Sequence, residues 1–157
     1  MLAVARIAAA FDGEKRKTFM SMKDLDERLA VAFIEGWDII PTGGGYLISS
    51  DWCWPNRDRI EIHVRSVGDR EDLFLVTDGG DLFSYLFSQG VDLTRDKAAL
   101  KTISSVVENY DTKFVDYQIA RGANQEDLPR AIRLVLEAVK DASLILWHKL
   151  GKGGPLH

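Results

Sequence analysis

Acidic and imidazole side chains occur at spacings that invite a metal-centred reading. Asp51 stands ten residues before the Glu61-x-His63 pair, and Asp78 closes the next apolar run. Carboxylates and an imidazole brought to one end of a sheet can bind a divalent cation and activate water against a phosphoester. The lysine that completes an acid-x-lysine nuclease strand is missing, which leaves His63 as the base. A histidine on a half-solvated strand is more simply a surface side chain. The leading expectation is therefore no catalytic residue, no metal and no cofactor, with Asp51, Glu61, His63 and Asp78 as the alternative metal-dependent site.

A second constellation is DWCWPNRDR, residues 51 to 59, in which two tryptophans alternate with arginines close behind. Trp and Arg dominate interface hot spots and also stack nucleic-acid bases. Trp52, Trp54, Arg57 and Arg59 are accordingly the expected binding surface; the bland reading has one tryptophan covering the core edge. Cys53 lies between them with no histidine near in sequence, and is expected to be a buried structural thiol, not a nucleophile. The turn Asp78-Gly79-Gly80-Asp81 could offer carboxylates and free amides to a ligand. Its simpler use is to reverse a strand into a helix, with glycine supplying positive φ and Asp81 the cap.

These residues must be positioned by the elements around them. The first eleven residues, MLAVARIAAAF, are expected to form a core strand or short helix and not a signal peptide, because Arg6 interrupts the apolar run. A polar connection follows, and Ser21 caps a helix presenting Leu25, Leu29, Ala32 and Phe33 on one face, ended by Gly36. WDII, PTGGG and YLIS then read as a hairpin with a glycine-supported loop. In RIEIHV the alternation puts Ile60, Ile62 and Val64 on one face and Arg59, Glu61, His63 and Arg65 on the other. LFLVT is nearly all apolar, the mark of an inner strand.

A short helix over DLFSYLFSQ, ended by Gly90, comes next. Thr94 or Asp96 then opens a helix with a stripe of Ala99, Ile103, Val106, Val107 and Tyr110. KFVDYQIA alternates as one strand with Val115, Tyr117 and Ile119 on a side. The final helix has Asp127 as cap, Pro129 in its first turn, and Leu128, Ile132, Val135, Leu136, Val139, Ala142 and Leu146 on one face. His148 sits where it can meet terminal carbonyls. Strands in succession with helices before and after them predict an α+β domain, an antiparallel sheet of four to five strands with helices on one face. It is expected to occupy residues 1–150, followed by a flexible tail, 151–157.

Composition sets the limits. The chain has 157 residues, 46% hydrophobic and 28% charged, enough for one well-packed core and unlike a disordered profile. A net charge of -4 gives no long-range pull toward phosphate backbones or anionic membranes. The charged run Glu14 to Lys17 and Arg57, Arg59, Arg65 and Arg70 are read as solvated, so nucleic acid is only a weakly supported partner. A single cysteine fits a reducing compartment, and no run reaches the eighteen or so apolar residues of a membrane span. A cytoplasmic setting is expected.

Two stretches, Asp58-Arg-Ile-Glu-Ile-His-Val64 and Phe74-Leu-Val-Thr-Asp-Gly-Gly-Asp-Leu-Phe83, followed by Gly90 and Leu93, resemble a bacterial and phage family. It is the domain of unknown function numbered eighteen-twenty-eight, with a D-x-I-x-I-x-V strand and then L-T-D-D-G. The resemblance covers residues 58–108, and Gly79 stands where the family shows a second acid. It transfers no catalytic residue and implies phage or mobile-element genes. The function expected is a non-enzymatic interaction or regulatory protein of a bacterial or phage conflict system, such as an inhibitor or immunity partner. Its partners are an unidentified protein and, through exposed Trp52, Trp54 and Tyr46, a second copy of itself. The alternatives are a metal-dependent nuclease or phosphoesterase and a nucleic-acid-binding module without catalysis.

Overall fold

The computed structural model describes residues 36–145. All but Gly36 and Trp37 lie in the second of two units along the chain, Met1–Trp37 and Asp38–His157. The expected amino-terminal element, the Ser21 helix, Leu146, His148 and the tail 151–157 fall outside the described residues.

Six strands form one sheet: β1 (Asp38–Thr42), β2 (Gly45–Cys53), β3 (Arg59–Ser66), β4 (Phe74–Thr77), β5 (Lys113–Val115) and β6 (Gln118–Ala123). Every pairing is antiparallel, and the order is β1-β2-β3-β4-β6-β5. Three helices complete the described unit: α1 (Asp81–Ser88), α2 (Lys97–Glu108) and α3 (Leu128–Ser143). The class is α+β with an antiparallel sheet, and the strands number six, not four to five.

The extra strand comes from KFVDYQIA, which is a hairpin and not a single strand. Asp116 and Tyr117 take φ of 52° and 60°, the left-handed pair that a tight two-residue hairpin turn requires. Alternation therefore breaks at the turn: Ile119 is fully buried while Val115 and Tyr117 are exposed. Tyr117 is held in that conformation by rings on two sides, with centroids 4.7 Å from Phe83 and 6.3 Å from Phe114.

The β1–β2 hairpin turns at Gly43 and Gly44, so Pro41 and Thr42 belong to the strand and not to the loop. Proline is tolerated because β1 is an edge. Strand β3 alternates as its sequence demands, with Ile60, Ile62 and Val64 buried. Strand β4 lies inside the sheet, between β3 and β6.

Helix α3 packs on β6, β4 and β3, with α2 beside it and against β5. Its buried residues are Ala131, Val135, Leu136, Ala138, Val139 and Ala142, so Val135, Leu136, Val139 and Ala142 face the core as expected, while Leu128 and Ile132 are only half-buried. The alanines let the helix approach the sheet closely, and each fully buried Val or Ile contributes roughly 1.5–3 kcal/mol. Asp96 caps α2 by accepting from the Ala99 amide at 3.0 Å. Asp127 stands at the start of α3 but makes no capping bond; its carboxylate meets Arg121 at 2.5 Å instead.

Candidate functional site

Strand β2 continues beyond its expected end. An irregularity between Ser49 and Cys53 breaks the β2–β3 register, stabilised by the Ser50 hydroxyl, which donates to the Ile60 carbonyl at 2.8 Å. This kink decides where the tryptophans go. Trp52 is 50% exposed, with the Lys140 ammonium of α3 over its ring at 3.3 Å from the centroid. Trp54 is only 7% exposed and stacks on Tyr85 of α1, centroids 4.6 Å apart. The two indoles thus meet the helices, Trp52 as surface and Trp54 as core edge.

A groove of about 330 Å³ opens beside Trp52, walled by Trp54, Pro55, Ile60, Lys140 and Leu144. Leu144, just past α3, is 56% exposed. Cys53 is exposed at the end of β2, which corrects the expectation of a buried thiol. The kink is the reason: it leaves Cys53 at the rim, outside the core that Ile48 and Ile60 enter.

The two arginines divide in the same way. Arg57 is exposed in the turn after Trp54, at a φ of 75°. Arg59 is tied down, donating to the Ser50 carbonyl and to the Asp38 carboxylate, each at 2.6 Å. Arg70 is likewise paired with Asp72 at 2.8 Å, so two of the four arginines, Arg59 and Arg70, are met by carboxylates.

The acids considered for a metal do not converge. Asp78 is fully buried, and its carboxylate accepts from the amides of Gly80, Leu82 and Ile119 at 3.0, 3.1 and 3.0 Å. Burial pushes the carboxyl up while those three donors pull against it. With its oxygens engaged by the fold, Asp78 and not Asp81 secures the start of α1; Gly80 is the N-cap residue, at a φ of 86°. Asp51 is exposed on β2. Among the described residues no three His, Cys, Asp or Glu side chains are grouped as a metal requires.

His63 lies against Gly79, where an added Cβ would fall 2.8 Å from the ring. Its Nε2 is 4.0 Å from an Asp81 oxygen, an attraction of charges beyond hydrogen-bond reach. That carboxylate above all raises the imidazole above its ordinary value, with burial opposing and Glu61 and Asp78 adding smaller effects.

Two further concavities were not foreseen. One, about 570 Å³, is lined by Ser49, Trp54, Glu61, Asp81 and Tyr85. The other, about 510 Å³, lies over the sheet face that bears Arg65, Leu75, Lys113, Gln118 and Ala120. The first depends on helix α1 lying against the β2–β3 hairpin and the second on β3, β4, β5 and β6 lying side by side, which local spacing does not encode. Lys140 and Leu144 were missed for a related reason: neither lies on the buried stripe of α3.

Among the described residues no helix is long and apolar enough to cross a membrane. Comparisons with protein-family models, with curated proteins and with solved structures find no match to this chain.

Proposed function

We propose that this chain is a non-enzymatic interaction protein that docks on another protein through the surface centred on Trp52. The observation that carries the reading is the half-exposed Trp52 indole beside an apolar groove, with Lys140 on its ring and Leu144 uncovered. An exposed aromatic next to a pocket and fringed by charge is the composition of an interface hot spot. Arg57 is exposed in the turn that follows Trp54, whereas Trp54 and Arg59 are engaged within the fold.

The resemblance of residues 58–108 to a phage and bacterial family supplies the setting, a regulatory, inhibitory or immunity partner in a conflict system. A metal-dependent phosphoesterase receives less support, because Asp78 spends its carboxylate on backbone amides.

The test is affinity capture from a bacterial lysate with wild type and Trp52→Ala side by side. At least one protein held by wild type and lost from the variant is expected. An identical set captured by both contradicts the proposal.

A further inference from the structure

We propose that the pocket between β3 and α1 binds a small organic cation, an ammonium or guanidinium group carried on an alkyl chain. Glu61 of β3 and Asp81 of α1 line it. Glu61 makes no hydrogen bond and no close ion pair among the described residues, and the one ion-pair partner of Asp81 among them is His63 at 4.0 Å. Asp58 adds a third carboxylate at the rim, occupied in part by the Asn56 amide. The pocket's guanidinium, Arg59, is already committed to Asp38 and the Ser50 carbonyl. The acids thus face an excess of their own charge.

Carboxylates alone do not make a site; the feature that points to a ligand is Ser49. It is 8% exposed and lies directly opposite Glu61 in the β2–β3 register, so both side chains leave the same face of the sheet. Its hydroxyl has no hydrogen-bond partner among the described residues, unlike that of neighbouring Ser50. A buried polar group left unmet costs about 1–3 kcal/mol, so an occupant that satisfies it is favoured. Trp54 and Tyr85, stacked on each other, also line the pocket, and aromatic faces attract cations.

The same geometry selects the chemistry. No three metal-ligating side chains converge there, yet about 570 Å³ is room for an alkyl cation with several donors. The several N–H donors of a guanidinium or ammonium can meet more than one acceptor at once, which suits a pocket lined by Glu61, Asp81 and the Ser49 hydroxyl. Protonated His63 competes for Asp81, so binding is strongest at alkaline pH, where the imidazole is neutral.

Butylammonium, butylguanidinium, capped lysine and arginine amides, and magnesium chloride are each titrated into the full chain at low salt and alkaline pH. Backbone amide shifts of residues 49, 61, 81 and 85 are followed. Saturable shifts are expected with the organic cations, weakened about tenfold in Glu61→Gln and in Asp81→Asn. Trp52→Ala should bind as wild type does, which separates this site from the docking surface. Tighter binding of the capped amides indicates a peptide side chain as the natural ligand, and tighter binding of the free cations a small amine or guanidine. The proposal is overturned if no organic cation saturates, if Glu61→Gln and Asp81→Asn titrate like wild type, or if magnesium alone reproduces the shifts.

Discussion

The Asp78 carboxylate accepts a 3.0 Å hydrogen bond from the backbone amide of Ile119, while the Asp78 amide donates to the Ile119 carbonyl at 3.1 Å. One side chain thereby extends the β4–β6 ladder past the last strand residue and at the same time secures the first turn of α1. An acid that could pass for a ligand is spent on architecture.

Asp78→Ala should leave three amides unmet and cost about 3 kcal/mol or more, while Asp78→Asn, which keeps one accepting oxygen, should cost about 1–2 kcal/mol. Urea unfolding measures both. Losses below about 0.5 kcal/mol in the two variants would show that the three bonds contribute little.

Gly45 and Gly44 offer a matched contrast. A Cβ on Gly45 would lie 1.8 Å from the Val64 carbonyl oxygen, whereas one on Gly44 meets nothing within 4 Å. Gly45→Ala should force β2 from β3 and cost several kcal/mol, on the order of a buried overpacking change or more. Gly44→Ala should stay within about 0.5 kcal/mol of wild type. Equal stability of the two variants in thermal unfolding would refute the close approach.

His63 should make stability depend on pH. Its proton is held more tightly in the folded chain than in the unfolded one, so its contribution is complete below the ordinary histidine value and fades as pH rises through the raised folded value. In Asp81→Asn the decline across that window should shrink, because the largest cause of the shift is gone. Denaturant midpoints collected through the histidine range decide it, and an unchanged decline in the variant contradicts the role assigned to Asp81.

How much of this was legible beforehand follows from the range of the interactions. Strand β3 and the stripe of α2 declare themselves through local periodicity, since each buries one face against whatever lies opposite. The β5–β6 hairpin did not, because Asp116 and Tyr117 are not the Asn-Gly pair that announces such a turn, and aromatic contacts with Phe83 and Phe114 support the conformation. The site was legible in part. DWCWPNRDR marked the right segment, but only the kink after Ser49 decides that Trp52 faces outward and Trp54 inward. Lys140 and Leu144 arrive from α3, and no spacing within β2 points to them.

Trp54→Ala should cost roughly 3–5 kcal/mol, as removal of a buried indole does. Trp52→Ala should cost no more than about 1 kcal/mol, the scale of its contact with Lys140. Chemical denaturation of the two variants distinguishes them, and comparable losses would place Trp52 in the core after all.

The most direct measurement is amide hydrogen exchange of the wild-type chain with and without a captured partner. The docking account expects new protection concentrated in residues 50–55 and 137–144, the two segments that wall the Trp52 groove. Protection confined to other segments, with these two exchanging as in the free chain, would contradict it.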